Sequence, residues 1–132
     1  LYRYQALHYT SLNEHLKVFK FMLKHDNKKV KNWNISCELK DGYLAIDISH
    51  NKSLTNISSL INIPVNKLNI SNTSVWQTWP LHQLPLQILN IKNCKISSID
   101  KLLKITSIKK ITLSKKQHLL FRNNSPIIHI DE

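Results

Sequence analysis

Histidine and cysteine are the residue types in this chain whose side chains most readily bind metals. The chain has seven histidines and two cysteines, Cys37 and Cys94. The histidines are scattered along the sequence: His8, His15, His25, His50, His82, His118 and His129. No pair has the His-x-x-x-His spacing that puts two rings on one helix face, and no cysteine cluster lies near them. The sequence therefore predicts no metal site, no cofactor and no disulfide framework.

The acidic and nucleophilic residues form no pattern that is typical of an enzyme. Only 8 residues are Asp or Glu, and no carboxylate pair suggests acid–base catalysis. Serines are so common here that a chance Ser–His pairing indicates nothing. A phosphate-binding loop needs several glycines for close backbone approach, and Gly42 is the only glycine. We therefore expect a chain without catalytic activity.

The charge of the chain suggests one possible class of partner. The formal net charge is +11, and lysines cluster at 28, 29 and 31 and again at 109, 110, 115 and 116. Basic patches attract nucleic acid or another anionic polymer or surface by releasing counterions. No nucleic-acid motif accompanies the lysines, so this hypothesis is the alternative to protein binding. No apolar run approaches the roughly 20 residues of a transmembrane segment.

A repeat is the strongest pattern in the sequence. Its copies start at Ile46, Leu68 and Leu89, and a degenerate copy starts at Ile111, so the steps are 22, 21 and 22 residues. This period, with apolar residues alternating at the start of each copy, is typical of a leucine-rich repeat. Each copy then forms a short strand with apolar side chains inward and polar ones outward. We predict an α/β fold: a leucine-rich repeat solenoid with a short curved parallel sheet and an irregular or 3₁₀ convex side.

The segments that flank the repeats are expected to be caps. Ser11-Leu12-Asn13-Glu14 has the form of a capping box, and apolar residues recur after it at helical spacing, which predicts a helix over about 11–25. Asp41-Gly42 predicts a hairpin turn into the first repeat. The expected organisation is a helical leader and N-terminal cap over 1–32, a hairpin plus about four repeats over 33–114, and a C-terminal cap over 115–132.

Several of these segments resemble a known family. They are the run from Leu54 to Pro64, the motifs Thr73-Ser74-Val75 and Trp79-Pro80-Leu81, and the stretch from Glu38 to Gly42. These segments are similar to the C-terminal leucine-rich repeat tails of bacterial serine/threonine protein kinases of the planctomycete and Lentisphaera type. The family's loop Asp is replaced by Asn56, Gln77 and Ser98. The resemblance implies a non-catalytic module for protein–protein interaction. This module would be an accessory part of a larger bacterial protein, for example a serine/threonine kinase. It implies no compartment, cytoplasmic or extracytoplasmic. The start at Leu1 fits a piece of a longer protein.

The outward positions of the strands are the predicted binding site for a protein or peptide ligand. These positions should form columns on the concave face of the sheet, where repeat proteins usually bind. Trp76 is added because exposed tryptophans are common in binding hot spots, whereas Trp79 is expected to be more buried. The predicted binding residues are Asp47, Ser49, Lys67, Asn69, Ser71, Trp76, Asn90, Lys92, Lys110 and Thr112.

A second column should turn inward just after each strand. Asn51, Thr73 and Cys94 occupy the same position in three successive repeats. A side chain there is expected to bond the bare backbone of a neighbouring loop, since an unpaired buried polar group costs a few kcal/mol. Cys94 is therefore predicted to be a buried structural thiol.

Overall fold

The fold was analysed in a computed structural model, which describes residues 12–121 and 124–131. His8, and Ser11 of the predicted capping box, lie outside the described residues. In the described part of the chain three α-helices, two 3₁₀ helices and six strands follow one another: α1 (Leu12–Asp26), β1 (Ser36–Lys40), β2 (Tyr43–Asp47), the first 3₁₀ helix (Ser58–Asn62), β3 (Val65–Asn69), the second 3₁₀ helix (Trp79–Gln83), β4 (Ile88–Asn90), α2 (Ile99–Leu102), β5 (Lys110–Leu113), α3 (Lys115–Phe121) and β6 (Ile128–Ile130).

All six strands join one sheet in the order of the chain. β1 and β2 form an antiparallel hairpin, and the turn at Asp41 and Gly42 uses positive φ angles of 54° and 81°. Each pair from β2 to β6 is parallel. The four periodic segments of the sequence thus lie side by side as parallel strands in chain order, which confirms that part of the strand prediction.

The expectation of a leucine-rich repeat solenoid is wrong. The described residues form a small α/β domain around one six-stranded sheet of mixed orientation, because β1 is antiparallel to its neighbour. The hairpin forms at the predicted turn, but β1 extends the sheet itself. The segments between strands also differ from one another, since two contain 3₁₀ helices and one contains the short helix α2. The period in the sequence therefore specifies the spacing of the strands, while the connections between them vary.

Alternation along each strand produces the core. Leu44 and Ile46 of β2, Leu68 of β3, Leu89 of β4 and Ile111 of β5 are all buried on one face of the sheet. Residues of the connecting segments, including Leu54, Ile57, Leu60, Leu81, Ile99 and Leu102, complete the same core. Full burial of a Leu or Ile side chain contributes about 1.5–3 kcal/mol, so this shared core is the main stabilising feature of the domain.

Helix α1 covers one part of the core through a narrow stripe of side chains. Phe19 and Leu23 are buried and Leu16 is partly buried, at the spacing of three to four residues that places side chains on one helix face. The helix packs against the first 3₁₀ helix. Its end is marked by Asn27, whose buried side chain bonds the loop at Thr55 and Asn56.

Candidate functional site

The sheet has a second face, opposite the core, which we call the open face. It is formed by Ala45, Asp47, Lys67, Asn69, Ile88, Asn90, Lys110 and Thr112, all exposed or half-buried. The strand register aligns them in two rows. One row runs Ala45, Lys67, Ile88 and Lys110, and the other runs Asp47, Asn69, Asn90 and Thr112. The structure therefore brings six of the ten predicted binding residues together on one surface.

The second row also closes the turn that follows each strand. The Oδ1 atom of Asp47 accepts hydrogen bonds from the backbone N–H and the Oγ–H of Ser49, at 2.9 and 2.6 Å. Oδ1 of Asn69 accepts from the N–H of Ser71, and Oδ1 of Asn90 accepts from the N–H of Lys92, both at 3.0 Å. Asp47, Asn69 and Asn90 are thus held rigidly, because each of these side chains is fixed by the backbone two residues later. Thr112 is not fixed in this way, since the N–H of Ser114 donates to Gln117 instead.

Three predicted binding residues lie beyond that row and are less accessible. Ser49 and Ser71 are buried, with 4% and 5% of their surface exposed, so the structure places them inside the turns rather than on a contact surface. Lys92 is half-buried, and its Nζ lies 3.5 Å from Oδ2 of Asp131. The sequence predicts these residues on the face because the alternation of inward and outward side chains continues past the strand ends in the sequence.

Left-handed residues turn the chain directly after these positions. His50, Asn72 and Asn93 follow three of the strands with φ angles of 64°, 57° and 61°. Asparagine tolerates this conformation better than most residues. Because the chain turns at these positions, the next side chains point into the domain.

The inward column behaves largely as predicted. Asn51 is buried, and its Nδ2 donates to the carbonyl oxygens of Ile48 and Asn34. Thr73 Oγ1 donates to Ile70 O at 2.7 Å, and Cys94 Sγ donates to the same oxygen at 2.8 Å. Cys94 differs from the prediction in one respect: it is half-buried rather than buried.

Cys94 should react slowly with a thiol reagent in the folded protein. Burial raises the pKa of the Cys94 thiol, so the reactive thiolate forms only at higher pH than in a free cysteine. We expect labelling about tenfold slower than in the unfolded chain at neutral pH, followed with an Ellman-type reagent on the Cys37→Ser variant. Equal rates in the folded and unfolded chains would show that Cys94 does not turn inward.

The two tryptophans of the 76–79 segment lie outside the sheet. Trp76 is 58% exposed and Trp79 is 49% exposed, so Trp76 is the more exposed one, as expected, and neither is buried. Trp76 lies between β3 and the second 3₁₀ helix, and the structure does not place it on the open face.

Trp79 borders a groove that the sequence analysis missed. The groove has a volume of about 320 Å³ and lies between α1 and the two 3₁₀ helices. Its lining includes Val18, Phe19 and Met22 from the helix. Two buried polar atoms of lining residues, His15 Nε2 and Ser59 Oγ, have no hydrogen-bond partner within the described chain. The signal in the sequence was the continuation of the apolar stripe of α1 onto Val18 and Met22.

The clustered lysines near the C-terminal end lie partly on and partly off the open face. Lys109 directly precedes β5, Lys110 is its first residue, and Lys115 and Lys116 lie beyond its end, in the first turn of α3. A strand of this length spans about 13 Å at 3.3 Å per residue. The basic residues are thus spread along the strand and past it.

Two further observations concern metals and membranes. Among residues 12–121 and 124–131, no three His, Cys, Asp or Glu side chains come together as metal ligands. No helix in the described part of the chain combines the length and apolar character needed to cross a membrane.

Comparison of this chain with protein families, with curated proteins and with solved structures finds no match. A functional assignment must therefore be argued from the residues of the chain.

Proposed function

We propose that this chain is a non-catalytic interaction module that holds a peptide segment of a partner protein on the open face of its sheet. One observation supports the proposal most directly. Parallel sheets are almost always covered on both faces. Here four of the five strand pairs are parallel, yet the described helices leave the side chains of the open face exposed or half-buried. A bound peptide would supply the missing cover.

The size of the open face favours a peptide over a large folded surface. The open face lies on four short strands, β2 to β5, and even the whole six-stranded sheet is only about 24 Å wide, at about 4.8 Å per strand spacing, and about 300 Å² in area. A stable interface between folded proteins buries about 800 Å² on each partner. A segment of several residues fits the open face, and any larger interface would have to extend beyond it.

The alternative function is binding of nucleic acid or another anionic polymer. The observation that favours it is the formal net charge of +11. Charge alone produces non-specific attraction, and the lysines lie both on and off the open face. The proposal that the chain belongs to a larger bacterial protein, such as a serine/threonine kinase, is supported by the resemblance of the sequence alone.

A neutral, bulky substitution in the centre of the open face tests the proposal. Ile88 is half-buried between Lys67 and Lys110, so Ile88→Trp fills the surface without changing its charge. Peptides are first selected from a random displayed library on the native chain. We expect Ile88→Trp to weaken their binding about tenfold or more, as removal of a central contact does, measured by fluorescence anisotropy.

The matched control is Leu119→Trp, which changes an apolar side chain that is 64% exposed on α3. This variant should bind the selected peptides as the native chain does. Thermal unfolding of both variants verifies that each is folded. If the peptides bind Ile88→Trp and the native chain equally well, the open face is not the binding surface.

A further inference from the structure

We infer that the segment held on the open face is acidic, with carboxylate groups that lie over strands β3 to β5. This inference rests on the proposed function and specifies the chemistry of the partner. Its basis is that β3, β4 and β5 present hydrogen-bond donors and cations on the open face, whereas the same two rows carry carboxylates, Asp47 and Glu38, on β2 and β1.

The side-chain amides of Asn69 and Asn90 have a defined orientation. The Oδ1 atoms of Asn69 and Asn90 accept hydrogen bonds from backbone N–H groups at 3.0 Å. A backbone N–H can only donate, so the amide oxygen must face the turn and the NH₂ group must point away from it. Neither Nδ2 atom has a hydrogen-bond partner within the described chain. Since Asn69 and Asn90 are register partners, they place two such donors on neighbouring strands.

Two lysines lie beside these donors. Lys67 and Lys110 flank Ile88 in the adjacent row, so they lie two strand spacings apart, or about 10 Å. Lys67 is exposed and Lys110 is half-buried. A peptide in the polyproline II conformation has three residues per turn and rises about 3.1 Å per residue, so two acidic residues three positions apart lie on one side of it, about 9 Å apart, and could reach both lysines. Hydrogen bonds between such charged groups are about twice as strong as neutral ones.

Two carboxylates border this donor surface. Asp47 occupies the same row as Asn69 and Asn90, and its register partner on β1 is Ser36. Glu38 of β1 lies opposite Ala45, which puts a second carboxylate on the same end of the face. Lys40 also lies on this side of β1, opposite Tyr43, but outside the two rows. A ligand with acidic groups over β3 to β5 therefore meets repulsion where its negative charge continues across β2 along these two rows.

This border favours a short acidic peptide over a nucleic acid. A nucleic acid strand has a charge at every phosphate, so it cannot end its negative charge at β2 as a peptide can. Single-stranded nucleic acid also gains affinity by stacking its bases on aromatic side chains. Strands β3, β4 and β5 contain no aromatic residue. The donors of the open face thus match a few carboxylates better than a polyanion.

The test uses a fluorescein-labelled peptide with glutamates at every third position and a matched peptide with glutamines in their place. The native chain should bind the glutamate peptide and not the glutamine peptide. Asn90→Asp keeps the oxygen that accepts from Lys92 but replaces the outward NH₂ with a carboxylate oxygen. We expect it to weaken binding of the glutamate peptide about tenfold, or about 1.4 kcal/mol, because a donor is lost and a like charge is added. Asp47→Asn makes the reverse change and should strengthen binding.

Two lysine pairs separate a specific contact from general attraction. Lys67→Gln/Lys110→Gln should lose binding, whereas Lys101→Gln/Lys104→Gln, which changes two exposed lysines of the α2 segment, should keep it. Equal losses in the two double variants would overturn the inference, as would unchanged binding by Asn90→Asp. An oligothymidylate that binds more tightly than the glutamate peptide, and whose binding depends on the same residues, would assign the face to nucleic acid instead.

The two proposals fail in different ways. Ile88→Trp could block binding of library-selected peptides that lack acidic residues and that bind the charge variants as tightly as the native chain. The open face would then bind a peptide, but this inference would be wrong. If Ile88→Trp has no effect, the proposed function itself is wrong.

Discussion

Replacing Asn27 with leucine should lower the free energy of unfolding by about 3–5 kcal/mol, because it leaves several backbone groups without partners at about 1–3 kcal/mol each. Asn27 is 4% exposed. Its Nδ2 donates to Leu23 O and Asn56 O, at 2.8 and 2.7 Å. Its Oδ1 accepts from the N–H groups of Thr55 and Asn56, at 3.0 and 2.9 Å. A leucine side chain has a similar volume and makes none of these bonds.

Chemical denaturation followed by circular dichroism measures this loss. The matched control is Asn13→Leu, the same substitution at an exposed position of α1, which should change the stability by less than about 0.5 kcal/mol. A total stability of about 5–15 kcal/mol is typical of a domain, so the expected loss is a large share. If Asn27→Leu and Asn13→Leu were equally stable, the side chain of Asn27 would not connect α1 to the loop.

Asn27 also determines how α1 lies on the domain. Its bonds connect the end of the helix to the loop that precedes the first 3₁₀ helix, which itself forms one wall of the groove. The groove therefore depends on this contact. A looser helix would open it and expose Phe19 and Leu23, which are buried in the native chain.

The strands could be predicted from the sequence because their signal is local and repeated. In Leu68-Asn69-Ile70 and Leu89-Asn90-Ile91 the apolar positions are buried and the asparagines face outward, which is what alternation along a strand requires. The same argument identified most of the open face. It failed at Ser49 and Ser71, where the alternation continues in the sequence while the chain itself turns.

The predicted solenoid failed for a different reason. A repeat in the sequence predicts the structure only of the positions that recur in every copy. In this chain those positions form the strand and the turn after it. It does not constrain the direction of β1, which is set by the turn at Asp41 and Gly42. It also does not constrain the different helices that connect the strands.

Contacts between residues far apart in the sequence gave no usable signal. Asn27 looks like an ordinary polar residue after a helix, yet it bonds residues 28 and 29 positions away. The amide orientations of Asn69 and Asn90 also appear only once their hydrogen bonds are known. One local signal at the C-terminal end was overlooked: Ser114-Lys115-Lys116-Gln117 has the Ser-x-x-Gln form of a capping box.

This capping box begins helix α3 and connects it to the sheet. Ser114 Oγ accepts from the N–H of Gln117 at 3.2 Å, and Gln117 Oε1 accepts from the N–H of Ser114 at 2.8 Å. The same oxygen accepts from the N–H of Asn93 at 3.0 Å, while Nε2 donates to Ile91 O at 2.9 Å. Gln117 is 8% exposed. It therefore has the role at this end of the domain that Asn27 has at the other.

Gln117→Leu should consequently destabilise the domain by about 1–3 kcal/mol, since it removes the partner of the buried N–H of Ser114 and that of the half-buried N–H of Asn93. The oxygen of Ile91 keeps its hydrogen bond from the N–H of Cys94. The control is Gln83→Leu, at an exposed position of the second 3₁₀ helix, which should be nearly neutral. Both are measured by chemical denaturation at neutral pH. A loss in Gln117→Leu no larger than in Gln83→Leu would contradict the role of this side chain.

Gln117→Glu adds a test that depends on pH. The variant keeps the oxygen that accepts from Asn93 and Ser114 but places a second carboxylate oxygen against Ile91 O, where the native Nε2 donates. The N–H groups of Asn93 and Ser114 favour the charged form, but they can bond the same oxygen of the protonated carboxyl, whereas burial and the Ile91 carbonyl oppose the charged form alone. We therefore expect the pKa of the new carboxyl to be raised in the folded state. A protonated carboxyl can donate to Ile91 O again. The stability of the variant relative to the native chain should therefore be greatest below the ordinary glutamate pKa of about 4.3 and fall as the pH rises through the raised value. A difference in unfolding free energy that stays constant from acidic to neutral pH would show that the side chain at position 117 does not face that carbonyl.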